Sequence, residues 1–120
     1  MKIKVSAIET VVPVAKSEDM NSITVGGTTY LTDMSMEQIH ERTGKSLMLV
    51  PAGTEEEHLA LVNPFKIVCV MPSDTKFTSV NTAGGHWVDV IDAEHGFEAR
   101  LARFLAAPCT PPTWLEIADV

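Results

Sequence analysis

The chain reads Ser22-Ile-Thr-Val-Gly26-Gly27-Thr-Thr-Tyr30-Leu31 in its first half and Thr78-Ser-Val-Asn-Thr-Ala-Gly84-Gly85-His-Trp-Val-Asp-Val90 in its second. In both stretches β-prone residues flank a glycine pair, which is typical of a β-hairpin because the turn positions need positive φ. A run that ends in proline precedes each hairpin, Ile8–Pro13 in one case and Ile67–Pro72 in the other. The spacing from the proline to the glycine pair differs by a single position. The chain therefore carries one supersecondary pattern twice.

A short amphipathic segment follows each hairpin. In the first, Ser35 and Gln38 have capping-box spacing and Gly44 is a natural stop, which predicts a helix of about two turns. In the second, Asp92 is expected to be the N-cap and Pro108 to end the helix. The core-facing stripe of this longer helix is predicted to contain Phe97, Leu101, Phe104 and Leu105.

These elements predict an α+β fold. We expect a mostly antiparallel sheet built from two β-hairpin-plus-helix repeats, with the longer helix packed on one face. A chain of 120 residues is most simply one domain, 1–120. Within it the repeat-like units cover about 1–44 and 46–107, and a C-terminal tail covers 108–120.

Composition excludes several classes of function. The formal net charge is −7, which disfavours binding to nucleic acid because phosphate contacts need clustered Lys and Arg. No apolar run is long enough for a membrane span, and residues 1–6 lack the apolar core of a signal peptide. Two cysteines are too few for a disulfide framework. We expect Cys69 to be buried and Cys109 to be exposed. A cytoplasmic location is therefore predicted.

The second copy resembles a known family. The stretch Val62-Asn63-Pro64-Phe-Lys-Ile-Val-Cys-Val-Met-Pro72-Ser-Asp-Thr75, the Gly84-Gly85 hairpin and the following helix look like the flagellar FlbD-like family, over residues 46–104. This resemblance implies a protein-interaction adaptor and carries no catalytic residue. In size and layout the chain is also similar to the Thoeris anti-defence proteins, which are phage counter-defence sponges. That likeness implies sequestration of a nucleotide-like ligand.

The arginines are the candidates for ligand binding. Only Arg42, Arg100 and Arg103 occur, and all lie on the two predicted helices. With the hairpins aligned, Arg42 and Arg100 are equivalent. Arginine suits bidentate capture of phosphate or carboxylate. A pocket of Arg100, Arg103, His86 and Trp87 could thus hold a small anionic ligand, with Trp87 stacked on a base. The alternative is that these arginines only complement helix dipoles and pair with glutamates on the same helices.

The tail is too apolar for a free end. Trp114, Leu115 and Ile117 follow Pro111-Pro112, which forces an extended path. These three side chains are expected to dock either on the chain's own core or on a second copy or a protein partner, by β-augmentation. Open sheet edges and this apolar tail favour a homo-oligomer.

No pattern in the sequence indicates catalysis. There is no Gly-x-Ser-x-Gly motif and no P-loop. The polar run His86, Asp89, Asp92, Glu94 and His95 could supply metal ligands, but His86 and Asp89 would point to opposite faces of a strand. We therefore predict no metal, no cofactor and no enzymatic activity. The predicted function is sequestration of a small anionic or nucleotide-like ligand. The alternative is a protein-interaction adaptor, or an acidic inhibitor of another protein.

Overall fold

The computed structural model describes residues 1–15, 19–73, 76–92, 96–107 and 109–118. Over these residues the chain forms ten strands and two α-helices. The elements are β1 (Lys2–Lys4), β2 (Ile8–Pro13), β3 (Asn21–Val25), β4 (Thr28–Thr32), α1 (Met36–Arg42), β5 (Met48–Ala52), β6 (His58–Val62), β7 (Ile67–Pro72), β8 (Phe77–Thr82), β9 (Trp87–Ile91), α2 (Phe97–Ala106) and β10 (Trp114–Glu116). Single 3-10 turns, Val5–Ala7 and Pro64–Lys66, lead into β2 and β7.

Eight strands form one sheet in the order β4-β3-β2-β6-β5-β9-β8-β7, and β1 and β10 form a second, two-stranded sheet. Every one of these pairs is antiparallel. The predicted α+β class with a mostly antiparallel sheet is confirmed. The join between β5 and β9 is short, because only Ala52 and Val90 pair there. The large sheet thus divides into β2–β4 and β7–β9 on either side of β5 and β6.

The order of elements is the same from β1 to β5 as from β6 to β10: strand, 3-10 turn, three strands, helix and strand. A register shift typical of a β-bulge follows Ile8 in β2, and another follows Ile67 in β7. The residues at the two shifts differ in burial, since Glu9 is buried and Val68 is exposed. The same kind of register shift is therefore occupied by a buried carboxylate, Glu9, in β2 and by an exposed apolar side chain, Val68, in β7.

The first glycine pair forms the tight turn that the sequence predicts. Gly26 and Gly27 join β3 to β4 with φ of +56° and +86°. The second pair differs, because β8 and β9 are joined by four residues, 83–86, and in that loop only Gly85 has positive φ. The prediction of a two-glycine turn is wrong there. Backbone conformation gives no reason for a glycine at position 84.

Helix α1 begins as predicted. The amide of Gln38 donates to the Ser35 hydroxyl at 3.1 Å, and the Ser35 amide donates to the Gln38 side chain at 2.9 Å, which completes the capping box. Met36 and Ile39 are buried, and Gly44 follows the helix with φ of +68°. Local capping and one apolar face thus account for this helix.

Helix α2 begins later than predicted. Its N-cap is Gly96 rather than Asp92. The side chains of this helix that pack against the core are Phe97, Leu101 and Phe104. Leu105, which the predicted stripe includes, is instead 44% exposed. The apolar face of α2 is therefore narrower than the sequence pattern suggests.

The core consists of two clusters of apolar side chains. The first joins β1, β2, β3, α1, β6 and β10, and its fully buried members include Val5, Ile8, Val11, Ile23, Ile39, Leu47, Leu61 and Leu115. The second lies on β5, β6, β8, β9 and α2, and its fully buried members include Val50, Ala60, Val62, Val80, Val90 and Phe97. Each helix thus has its own cluster, and strands from both halves of the chain contribute to each.

The C-terminal tail folds back on the chain. β10 pairs with β1, with Leu115 opposite Ile3, and Leu115 and Ile117 are buried in the first cluster. The structure therefore favours the alternative in which the tail docks on its own core. Leu115 and Ile117, predicted to bind a partner, are not available for one here because the core encloses them. Trp114 remains 51% exposed.

Both cysteines are exposed. For Cys109 this agrees with the prediction, whereas the prediction that Cys69 is buried is wrong. Cys69 lies at the register shift of β7, the outermost strand of the large sheet, and its neighbour Val68 is exposed as well. Neither described helix has the length or the apolar run that crossing a bilayer requires.

Candidate functional site

Arg100 and Arg103 line a depression of about 460 Å³ beside β5. His40 of α1 faces the same space. Phe104 and Leu49, the latter 37% exposed, provide apolar walls. As far as the described residues go, no carboxylate lines this depression. It therefore combines hydrogen-bond donors with an apolar surface.

Trp87 lies elsewhere. It lines a larger cavity of about 830 Å³ at the end of β2, together with the acidic segment Glu55–Glu57, His58 and Asp89. On β9, Val88 and Val90 point into the core that α2 covers, so Trp87 faces the other way. The predicted pocket of helix arginines and Trp87 is thus split between two places, because alternate residues of a strand point to opposite faces.

His86 also lies apart from the arginines. It is half-buried in the β8–β9 loop and is not among the residues that line the arginine depression. Its carbonyl oxygen accepts hydrogen bonds from the Thr82 amide at 2.9 Å and the Asn81 side chain at 3.3 Å. The backbone of His86 therefore closes the loop. Of the predicted ligand set, only Arg100 and Arg103 come together.

Arg42 borders a third, smaller depression of about 320 Å³ with Lys2, Trp114 and Glu116. Lys2 and Glu116 form an exposed ion pair there at 3.7 Å. Counted from the helix N-caps, Arg42 occupies the same helical position as Arg103 rather than that of Arg100. The predicted equivalence of Arg42 and Arg100 comes from aligning the two hairpins. The connection from the hairpin to the helix is longer before α2 than before α1, so the alignment of the helices differs from that of the hairpins.

Arg100 has an acidic neighbour inside the fold. Its guanidinium is 3.9 Å from Asp92, a buried carboxylate, and lies over the Phe97 ring at 5.9 Å. The alternative reading expects a glutamate on the same helix as the partner, whereas the acidic partner of Arg100 is Asp92, which precedes the helix. At 3.9 Å the pair leaves most of the guanidinium N–H groups available.

Asp92 organises the start of α2. Its carboxylate accepts hydrogen bonds from the Gly96 amide at 2.9 Å, the Phe97 amide at 3.1 Å and the Thr78 hydroxyl at 2.9 Å. Burial raises the pKa of Asp92, but these hydrogen bonds and the nearby charge of Arg100 outweigh it and lower the pKa below the ordinary value. Asp92 therefore accepts hydrogen bonds from the first amides of α2, as an N-cap side chain does, although the N-cap residue is Gly96.

Replacing Asp92 by alanine is expected to lower the free energy of unfolding by about 1–2 kcal/mol, because two helix amides lose their acceptor. Because the folded-state pKa is lowered, the contribution of Asp92 is full above the ordinary carboxyl pKa and is lost as the pH falls through the lowered value. Urea unfolding at pH 7 and at pH 3 measures both effects. The exposed Asp33, changed to alanine, is the control. If the difference in the free energy of unfolding between wild type and Asp92→Ala is as large at pH 3 as at pH 7, this account of Asp92 is contradicted.

Sequence reasoning missed a second buried carboxylate. Glu9 lies at the bulge of β2 and accepts hydrogen bonds from the amide of Gly27, at 3.3 Å, and from the amide of Gly84. The Glu9 carboxylate thus links the β3–β4 turn to the β8–β9 loop, which lies in the second half of the chain. A Cβ at position 84 would lie 2.5 and 2.6 Å from its carboxylate oxygens. This close approach is the reason for a glycine there.

The charged form of Glu9 is favoured in the fold. Burial raises the pKa of Glu9, but hydrogen bonds from the Gly84, Gly27 and Gly26 amides outweigh it and lower the pKa below the ordinary value. The Thr82 hydroxyl faces the same carboxylate and lowers the pKa further, although its oxygen makes no hydrogen bond of good geometry. Glu9 is therefore a structural anion that connects the two halves.

The polar run of the second hairpin does not form a metal centre in the described part of the chain. No three His, Cys, Asp or Glu side chains there are grouped so that they could hold a metal ion. Asp89 instead accepts a hydrogen bond from the Ser79 hydroxyl at 2.7 Å. Glu94 and His95, which the sequence also suggested, lie outside the described residues.

Comparison of the chain with protein-family models, with curated proteins and with solved structures finds no match.

Proposed function

We propose that this chain is a non-catalytic binding protein that sequesters a small anionic, nucleotide-like ligand in the depression beside α2. The observation that carries the proposal is the convergence of Arg100, Arg103 and His40 on one space that no described carboxylate lines. In a chain with a net charge of −7, a depression with three basic side chains and no described carboxylate in its lining is distinctive.

The chemistry of the depression favours an anion with an attached ring. Guanidinium groups bind phosphate or carboxylate oxygens through paired N–H donors. Phe104 and Leu49 offer an apolar surface on which a base or another flat group can lie. Trp87 has no part in this version of the site. The proposal includes a cytoplasmic location and a sponge-like role, as the resemblance to phage counter-defence proteins implies.

The finer architecture belongs to the same proposal. We infer that the chain consists of two repeats, β1–β5 and β6–β10. The shared order of elements and the register shifts after Ile8 and Ile67 support this. Arg42 and Arg103 then occupy matching helix positions, each beside the last strand of the other repeat. Only the second helix adds Arg100, so we place the ligand there.

Changing Arg100 or Arg103 to alanine is expected to weaken binding of an anionic nucleotide at least about tenfold, the order of magnitude for losing a charge-assisted hydrogen bond. Titration calorimetry with ADP and with inorganic pyrophosphate measures this. Arg42→Ala is the matched control, because it removes the same side chain from the other helix and should leave the affinity unchanged.

Native mass spectrometry of the protein purified from a cell lysate is the companion measurement. A small molecule bound in a fixed ratio, and lost in Arg103→Ala, would support the proposal. A wild-type protein that carries nothing and binds neither ADP nor pyrophosphate would overturn it. Equal weakening by Arg42→Ala would place the ligand outside the depression beside α2.

A protein-interaction role is the second candidate. It is favoured by exposed apolar side chains outside the arginine depression, among them Phe65, Val68, Met71 and Trp114. This role agrees with what the FlbD-like resemblance implies. It predicts that Arg100→Ala and Arg103→Ala leave every interaction of the protein intact, which the calorimetry and a pull-down with both variants distinguish.

A further inference from the structure

His40 differs in kind from the other two basic side chains of the depression beside α2. Arg100 and Arg103 are guanidinium groups, which are not deprotonated in proteins. Imidazole, in contrast, is the side chain that gains or loses its charge between about pH 5 and 8. His40 lies on α1, whereas the two arginines lie on α2, and all three line one space. The depression therefore contains one basic group whose charge can respond to a bound anion.

The ring of His40 is available to a ligand. It is half-buried, and among the described residues it has no hydrogen-bond or ion-pair partner. The hydrogen bonds that the structure shows for this residue are made by its backbone. Its carbonyl oxygen accepts from the Lys45 amide at 2.9 Å and from the Thr43 hydroxyl at 3.1 Å. The end of α1 is thus held in place, while both ring nitrogens remain free.

The elements packed against His40 offer it no negative charge within the depression. α2 contributes Arg100 and Arg103, and β5 contributes the apolar side chains of 48–50. The nearest buried carboxylate of that side, Asp92, is already engaged with Arg100 at 3.9 Å and does not line the depression. A counter-charge for a protonated His40 must therefore come from a bound ligand.

The charged groups of α1 itself do not change this conclusion. Glu37 and Glu41 are exposed, and neither lines the depression. Glu41 pairs with Lys45 at 3.4 Å. Arg42 is exposed and borders the third depression instead. No described carboxylate on the same helix thus competes with a ligand for the imidazolium form of His40.

We propose that binding of the anion is coupled to the uptake of one proton by His40, so that both helices hold the ligand through three cationic groups. This inference rests on the proposed function. The proton comes from solvent and binds a ring nitrogen, which then donates to an oxygen of the ligand. An opposite charge nearby favours the charged form of a titratable group. A terminal phosphate or a pyrophosphate, with more than one negative charge, gains more from a third cation than a singly charged diester does.

The proposal predicts how the affinity depends on pH. Because the protonated imidazole binds the anion better, the contribution of His40 is full at low pH and is lost as the pH rises. Wild type should bind ADP and pyrophosphate about five- to tenfold more tightly than His40→Gln at pH 6, with the two nearly equal at pH 8.5. Titration calorimetry measures both proteins at both pH values. The ionisation of the ligand itself is common to both and cancels in their ratio.

His86→Gln is the matched control, because it removes the same ring from a half-buried position outside the depression. Its affinity should follow that of wild type at every pH. Calorimetry of wild type at pH 7 in two buffers of different ionisation enthalpy gives the number of protons taken up on binding. That number should be larger for wild type than for His40→Gln. Circular dichroism shows whether each variant remains folded.

Nuclear magnetic resonance of the wild type tests the proposal without any variant. The ring-proton signal of His40 should titrate at a higher pH when ADP or pyrophosphate is bound, and the signal of His86 should not move. An unchanged His40 titration, or an affinity ratio that is the same at pH 6 and pH 8.5, would overturn this inference. Binding that is still lost in Arg103→Ala would then leave the proposed function in place. Absence of binding by wild type at every pH would instead overturn the proposed function, and this inference with it.

Discussion

Replacing Glu9 by glutamine is expected to lower the free energy of unfolding by about 2 kcal/mol, the scale of hydrogen bonds to a buried charged acceptor. The amides of Gly27 and Gly84 both donate to the Glu9 carboxylate. Glutamine has the same shape but only one acceptor oxygen, and its NH₂ group would face a backbone donor. One of these amides therefore loses its partner.

Urea unfolding at neutral pH measures the effect, with Glu57→Gln as the control. Glu57 lies in an exposed loop, so its change should stay within about 0.5 kcal/mol of wild type. The contribution of Glu9 should be complete above the ordinary carboxyl pKa and should disappear as the pH falls through its lowered folded-state pKa. Equal stability of Glu9→Gln and wild type at pH 7 would show that the carboxylate does not connect the two halves.

Gly84→Ala is expected to lower the free energy of unfolding by about 2–3 kcal/mol, the upper part of the range for an overpacked site. The added Cβ would lie 2.5 and 2.6 Å from the two Glu9 oxygens, closer than real Cβ atoms approach an oxygen. Either the loop or the buried carboxylate must move, and movement breaks the Gly84 hydrogen bond as well. The measurement is again urea unfolding, with the slope inspected for loss of two-state behaviour.

Gly96→Ala is the control for Gly84→Ala. A Cβ at position 96 meets nothing within 4 Å, and Gly96 has a φ of −96° that alanine can adopt. Its effect should stay below about 1 kcal/mol. A double-mutant cycle then isolates the contact, because Gly84→Ala should cost much less in a Glu9→Ala background. If the two changes are additive, the clash with Glu9 is not the cause.

The locally determined parts of the fold could be predicted from sequence. The Gly26-Gly27 turn and the capping box of Ser35 and Gln38 depend on residues within a few positions of one another, and both are present. The start of α2 could not be read in the same way. Asp92 is a good capping residue, but it caps from outside the helix, because a longer connection separates it from Phe97.

The candidate site was predicted only in part, because it depends on which face of β9 the helix covers. Trp87 and Val88 point to opposite sides of the strand, and α2 packs on the side of Val88. The alternation of side chains along a strand predicts that Trp87 and Val88 lie on opposite faces. Only the tertiary fold shows which of the two faces lies next to the arginines. Arg100 and Arg103 lie together because they are neighbours on one helix.

The sequence contains one indication that Glu9 has a structural role. It stands inside the run Ile8–Pro13, and the matching run Ile67–Pro72 has Val68 at the equivalent position. A carboxylate within a buried strand requires hydrogen-bond donors, and backbone amides of glycine turns are the donors that a side chain can approach most closely. The sequence shows the buried carboxylate and the glycine turns, but it does not show that Glu9 and Gly84, which are far apart in the chain, are in contact.

The pairing of β1 with β10 has a consequence for the order of events during synthesis. A ribosome releases β1 early, and its partner strand appears only after α2 has been made. Until then Ile3 and Val5 have no cover from Leu115, and the first core cluster cannot close. Nascent chains that stall before residues 114–116 should therefore be recognised by chaperones and proteases as incomplete, whereas the β3–β4 hairpin needs no later segment to form.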